Sequence, residues 1–229
     1  MKITEATLTN IISESVKNVL IEMVDEYADA SFEPNDISQC RSFAEMVRYC
    51  KTHCGNHIGK GSSREVFEID DNKCIKLAFN KKGAAQNEEE VRSYANECGL
   101  TPEIYSYDEN NYMWIVVQKA RPARAGDFRQ LLGMDFKKYC YYVDAIYAQY
   151  GRYVKSSNYE QEVYDYIYEG DNEFLYNLND YMENTCLEKY GDLKRISSYG
   201  VVEKDGQSSL VLIDAGLSDK VFDQHYGRR

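Results

Sequence analysis

The chain has 229 residues, of which 43% are hydrophobic and 28% charged, so one large domain or two small ones can bury a core beneath a solvated surface. A formal net charge of −11 argues against a simple electrostatic grip on nucleic acid or an anionic membrane, since both need clustered positive charge. The carboxylates are spread along the chain and interleaved with Lys and Arg, the pattern of a solvated acidic surface rather than of a nucleic-acid mimic.

In chain order, the opening MKITEATLTN has no apolar signal core, and no uninterrupted apolar run approaches ~18 residues, so no membrane span is expected. Residues 5–30 predict an amphipathic helix, with Leu8, Ile11, Ile12, Val16, Val19, Leu20, Met23 and Val24 at helical spacing. Glu33-Pro34-Asn35 breaks it, and Asp36 with Gln39 forms a capping box for a second helix over 37–54. The apolar stripe of that helix is Cys40, Phe43, Val47, Cys50 and Cys54. The period then switches to strands at 57–60, 65–69, 73–79, 103–107 and 112–118, with a helix over 85–97 between the third and fourth. Asp70-Asp71-Asn72 and Asp108-Glu109-Asn110-Asn111 supply turns. Beyond Ala120 the pattern is helical: a helix capped by Asp135, another near 159–168 and a third over 172–189. A hairpin of 200–203 and 208–213 closes the pattern, turning at Asp205-Gly206. Seven Cys at irregular spacing, without a secretory signal, point to a reducing cytoplasm.

Four features carry chemistry. In Ile58-Gly59-Lys60-Gly61-Ser62-Ser63-Arg64-Glu65-Val66-Phe67, two glycines one residue apart let a strand-turn-strand backbone approach phosphate oxygens closely. Lys76 lies within the apolar strand Cys74-Ile75-Lys76-Leu77-Ala78, where a lone ammonium is costly and calls for anions. Glu90 borders the Val91, Tyr94 and Ala95 face of the following helix and is within reach of Lys76, with Glu89 as the fallback. Near the other end, Ser209-Leu210-Val211-Leu212-Ile213-Asp214-Ala215-Gly216 presents a carboxylate at a strand end, where it can meet a metal ion on phosphates. Upstream of it, Gly191-Asp192-Leu193-Lys194 offers a proton acceptor and a cation.

This order of motifs resembles the protein-kinase-like superfamily over about residues 57–217, and most resembles small bacteriophage kinases and kinase-like proteins. The resemblance implies an α+β, two-lobed protein-kinase-like fold with an N-terminal helical extension and a reduced C-terminal helical lobe. The expected divisions are 1–54 for the extension, 55–120 for the strand-rich nucleotide lobe and 121–229 for the helical lobe. It implies ATP and Mg²⁺ as cofactors. Gly59 and Gly61 are expected to cover the phosphates and Val66 to line the nucleotide site. Lys76 is expected to hold the phosphates while paired with Glu90, and Gln118 to Ala120 to form the adenine-contacting segment. Asp214 and Ser198 are the expected metal ligands, Asp192 the catalytic base and Lys194 its cationic neighbour. The implied activity is phosphoryl transfer to a protein hydroxyl, Ser or Thr; the alternative is a weak or inactive kinase-like module that docks and inhibits a host protein.

The chain departs from the family pattern in several places. Arg64 replaces the third loop glycine, Tyr190-Gly191 replaces the His-Arg before the catalytic Asp, and Ala215 replaces the Phe of Asp-Phe-Gly. Ser197 or Ser198 stands where the second metal-binding Asn is usual. Fifteen residues follow Asp214, so the usual peptide-docking platform is not expected. Cys50-Lys51-Thr52-His53-Cys54-Gly55-Asn56-His57 has zinc-competent residue types, but Cys40, Cys50 and Cys54 lie on an apolar stripe, where core packing is the better reading. Thirteen tyrosines between Tyr139 and Tyr190 are expected to pack in and around a core, with a partner-binding surface as the alternative.

Overall fold

A computed structural model describes residues 31–149, 172–185, 190–204 and 206–214. The helices expected at 5–30 and 159–168, together with Ala215 and Gly216, lie outside the described residues.

Two helices precede the sheet, α1 (Pro34–Ile37) and α2 (Phe43–His53). The expected single helix over 37–54 is thus corrected: α1 ends at Ile37, and α2 starts where the Ser42 side chain caps the Glu45 N–H. Ser42, not Asp36, is the effective cap, because its hydroxyl accepts an otherwise unpaired amide of the first turn.

Strands β1 (His57–Lys60), β2 (Arg64–Glu68), β3 (Lys73–Ala78), β4 (Ile104–Tyr107) and β5 (Trp114–Gln118) form an antiparallel sheet in the order β1-β2-β3-β5-β4. All five lie within two residues of their expected bounds, because alternation along each strand separates two buried faces. One face carries Phe67, Ile75, Leu77, Trp114 and Val116 and packs on Ile37, Met46 and Cys50 from α1 and α2. The other carries Cys74, Ile115 and Val117 with Val66 and Val91 against them. Asp70 accepts hydrogen bonds from the amides of Asn72 and Lys73, and Asp108 from those of Asn110, Asn111 and Met113, so both expected turns are closed by an aspartate.

Between β3 and β4 the chain forms α3 (Lys81–Arg92) and a short α4 (Tyr94–Glu97) instead of one helix over 85–97. Asn80 caps α3 four residues earlier than expected by accepting the Gly83 N–H, and an extended Ser93 separates the two helices. Beyond the sheet come β6 (Arg121–Pro122), α5 (Ala125–Leu132), α6 (Phe136–Gln149) and α7 (Glu173–Asn184). Two 3-10 turns follow, Gly191–Lys194 and Ile196–Ser198, then the hairpin β7 (Tyr199–Lys204) and β8 (Gln207–Leu212). The helix α5 and strand β6 are not anticipated by the sequence pattern.

The hairpin joins β6 in a separate three-stranded sheet and packs on the helices. Its core contains Phe128, Leu132, Tyr139, Val143, Ile146, Leu178, Met182, Leu193, Tyr199 and Leu210. The sheet and the helical part therefore bury separate cores, and the architecture is α+β and two-lobed, as the kinase-like motif order implies. Tyr139, Tyr142, Tyr147 and Tyr181 are core residues, whereas Tyr141 and Tyr176 are exposed. Among the described residues no helix is long and apolar enough to cross a membrane.

Gly83 permits the close approach of α3 to the turn before β2 and to the end of β3: a Cβ there would lie 2.3 Å from the Ser63 carbonyl oxygen and 3.0 Å from the Ala78 Cβ. Gly83→Ala is expected to lower the melting temperature, with a cost of about 1–3 kcal/mol for forced repacking. Gly126→Ala in α5, where an added Cβ meets nothing within 4 Å, is expected to raise it through helix propensity. Thermal denaturation of the two variants beside the parent checks both signs.

Candidate functional site

The β1–β2 turn is closed by the Gly61 N–H donating to the Arg64 carbonyl at 2.8 Å. Among the described residues, a Cβ at Gly59 would meet nothing within 4 Å, and one at Gly61 only the Arg64 carbonyl at 3.8 Å, so these residues leave the space beside the turn open. Opposite residues of an antiparallel pair share a face, and Val66 pairs with Lys76 while Arg64 pairs with Ala78. Arg64, Val66 and Lys76 therefore point to one side of the sheet, the side covered by α3.

That side of α3 is polar. Its buried residues are Gly83, Gln86, Asn87 and Glu90, spaced at three, four and seven positions. The expected Val91, Tyr94 and Ala95 face is thus corrected as a description of this helix: Val91 is half-buried, and Tyr94 and Ala95 belong to the separate α4. Gln86 meets the Ser63 hydroxyl. The Asn87 amide donates to the Tyr112 carbonyl at 2.8 Å, and its oxygen accepts from Arg64 at 3.3 Å.

Glu90, 5% exposed, is the centre of the site. Its Oε2 accepts from Lys76 Nζ at 2.6 Å and its Oε1 from Arg64 Nη1 at 2.5 Å. Burial alone raises the pKa of a carboxyl, but here the Arg64 and Lys76 charges outweigh it and hold Glu90 below its ordinary value. Lys76 also donates to the Ile213 carbonyl at 3.2 Å, which ties the sheet to the end of the β7–β8 hairpin.

Asp214 follows at once. Arg64 Nη2 lies 3.6 Å from its Oδ1. Loss of solvent raises the Asp214 pKa; Arg64 and Lys76 oppose that rise, and the negative charges of Glu90 and Asp192 reinforce it. Asp192 thus lies within electrostatic range of Asp214. It sits in the first 3-10 turn and pairs with Arg195 at 2.8 Å. The turn is moored by buried Leu193, whose carbonyl accepts from the Tyr199 hydroxyl at 2.6 Å, while Tyr199 also meets the Tyr139 hydroxyl at 2.6 Å. Ser198 is buried, and its carbonyl accepts the Ile213 N–H at 2.8 Å.

The chain between the lobes runs beside this hairpin. The Gln118 N–H donates to the Glu103 carbonyl and the Lys119 N–H to that of Asn72, both at 2.7 Å. Ala120 lies against Gly200, where an added Cβ would stand 2.8 Å from the Ala120 Cβ and 2.7 Å from Ile213 Cγ2. Lys194 points elsewhere: its ammonium pairs with Asp144 of α6 at 2.7 Å and lies over the Tyr190 ring.

The structure therefore gathers Lys76, Glu90, Asp214, Asp192 and Ser198 about the junction of the two lobes, with Val66 on the same face and Ala120 beside it. It holds Lys194 in a separate ion pair. Sequence reasoning missed Arg64 and Asn87 as parts of this network, and Asp144 as the partner of Lys194. The polar spacing of residues 83, 86, 87 and 90 was the available signal for the helix face. The zinc-competent residues are engaged in packing: Cys50 is in the core, His53 stacks on Tyr49 at 4.3 Å, and His57 meets the Phe67 ring edge at 4.9 Å. Among the described residues no group of three or more His, Cys, Asp or Glu converges as a metal site.

No family model matches the chain, and no curated protein matches it. Among solved structures, it is similar to the GDP and kanamycin complex of APH(2")-IIia, with 12% sequence identity and a TM-score of 0.32, over 71% of this chain and 67% of that one. The functional reading rests on the side-chain geometry.

Glu90→Gln leaves two cations facing a neutral amide and is expected to destabilise the fold by about 3 kcal/mol or more. Because the folded-state pKa of Glu90 is depressed, its contribution is present at neutral pH and is lost as pH falls through that pKa. The gap in melting temperature between parent and variant should then narrow only below the ordinary Glu value of 4.5. Asp214 has the opposite sign: partial burial raises its pKa against the pull of Arg64, so Asp214→Asn is expected to cost far less melting temperature at neutral pH than Glu90→Gln. Melting curves across this pH range check both; equal melting of Glu90→Gln and the parent at neutral pH overturns the assignment.

Proposed function

We propose that the chain is an ATP- and Mg²⁺-dependent phosphotransferase of the protein-kinase-like type, with a protein hydroxyl as acceptor. Its nucleotide lobe spans about 55–120 and its helical lobe about 121–229. The observation that carries this reading is the buried Lys76–Glu90 pair, docked on the Ile213 carbonyl one residue before Asp214. A core rarely holds a charged lysine unless its charge has a use, and here the carboxylate that fixes it is itself shared with a second cation.

In this reading Lys76 holds the phosphate oxygens and Glu90 fixes its position. Gly59 and Gly61 allow the turn backbone to approach the phosphates, and Val66 with the 118–120 segment flanks the base. Asp192 accepts the proton of the attacking hydroxyl as the oxygen–phosphorus bond forms and the bond to the leaving diphosphate breaks. The donor set fits Mg²⁺, which takes one or two carboxylates and leaves its other positions to phosphates and water. Asp214 and Ser198 would hold the ion, and the Asp214 carboxylate, crowded by Glu90 and Asp192, gains from a cation beside it. When bound, the ion supplies charge neutralisation on the phosphates.

A second reading is favoured by the engagement of Lys194 with Asp144 instead of with the site. It makes the chain a weak or inactive kinase-like module that docks a host protein. Its effect on the host would then survive Asp192→Ala.

Lys76→Ala and Asp214→Ala are each expected to abolish phosphate transfer from radiolabelled ATP to protein acceptors; unchanged transfer in either purified variant overturns the site. ATP with Mg²⁺ at a hundredfold its dissociation constant is expected to stabilise the parent by about 2.7 kcal/mol. That stabilisation should be lost in Lys76→Ala, as read by thermal shift. No shift in the parent at millimolar ATP refutes the nucleotide site itself.

A further inference from the structure

The proposed nucleotide site leaves one residue without a role, although it reaches Glu90, Asn87 and Asp214. Arg64 stands where the motif has its third glycine, at the first position of β2. A glycine there contributes only backbone. Here the same position places a guanidinium that is 12% exposed on the face that carries Lys76.

Asn87, Glu90 and Asp214 present acceptors to it. Nη1 donates to Glu90 Oε1 at 2.5 Å and to Asn87 Oδ1 at 3.3 Å, while Nη2 lies 3.6 Å from Asp214 Oδ1. The first two contacts orient the guanidinium from within the helix. The third is longer than a hydrogen bond, so the Nη2 edge faces Asp214 without closing on it. Asn87 is itself fixed, fully buried, by its bond to the Tyr112 carbonyl. Glu90 thus holds two cations, one on each oxygen, and both lie on the way from α3 to Asp214.

Resting on the phosphotransferase reading, the geometry points to Arg64 as a second phosphate-gripping residue: with Lys76 it forms a two-cation clamp for the polyphosphate of a nucleoside di- or triphosphate. A guanidinium suits this task because its planar fork separates its donors, so that Nη2 can meet a phosphate oxygen while Nη1 stays on Glu90 and Asn87. The shared carboxylate sets the spacing of the two cations, and Asn87 prevents the longer side chain from swinging away. The space beside Gly59 and Gly61 is on the same turn, so backbone amides and the guanidinium can address one anion together.

The test is isothermal calorimetry of Mg²⁺-ATP and of adenosine with the parent, Arg64→Ala, Arg64→Lys and Lys76→Ala. Removal of a charge-assisted contact is expected to weaken ATP by about ten- to a hundredfold in Arg64→Ala. Adenosine should bind as it does to the parent, and Arg64→Lys should fall between, since it keeps the charge and loses the fork. ATP binding to Arg64→Ala that equals or exceeds the parent's overturns the clamp and makes Arg64 a plug over Asp214. Equal loss of ATP and adenosine also overturns it and assigns Arg64 to the fold. If Arg64→Ala does not fold, Arg64→Lys decides: undiminished ATP affinity, with adenosine unchanged, refutes the fork. A parent that binds neither ligand refutes the nucleotide site, and the clamp with it; a parent that binds ATP with loss only in Lys76→Ala refutes the clamp alone.

Discussion

One carboxylate, with a cation on each of its oxygens, organises the junction of this protein. Glu90 meets Lys76 from the middle of the sheet and Arg64 from its margin. Remove the carboxylate and two positive side chains stand together in a protein interior, where each charge costs several kcal/mol to desolvate. Every element near the site is arranged to let this group be reached. The helix approaches because residue 83 has no side chain, and β3 delivers its lysine because alternation turns Cys74 and Lys76 to the same face. The hairpin of the other lobe closes on the assembly through the Ile213 carbonyl.

Strand positions were plainly legible in the chain. Alternating apolar residues bounded by aspartate-rich turns define five strands, and the structure closes those turns with Asp70 and Asp108. Helix starts were less so. Asp36 and Gln39 have the residue types of a cap, yet Ser42 makes the bond; a cap is a matter of backbone geometry as well as composition. The start at Asn80 was hidden for a related reason. Its helix has a polar buried face, and a search for apolar spacing passes over it.

The site was legible in part, and the division follows chemistry. Lys76 and Asp214 declare themselves because a charge inside or at the end of an apolar strand conflicts with its surroundings. Arg64 reads only as a departure from a glycine pattern, and nothing local shows that it reaches Glu90, 26 positions away in sequence. Lys194 shows the converse. Its place next to Asp192 suggests a catalytic neighbour, whereas the Asp144 carboxylate on α6 claims its ammonium. Long side chains are directed by partners from distant segments, and only the tertiary arrangement names those partners.

The contact of Gly83 with the Ser63 carbonyl has a dynamic side. The glutamate-bearing helix is seated on the Ser63 carbonyl just before β2 and on Ala78 of β3, and Gln86 meets the Ser63 hydroxyl, so it packs on both strands at once. The helix, the turn before β2 and the strand that carries Lys76 therefore form one packed unit, and displacing the helix would disturb all three.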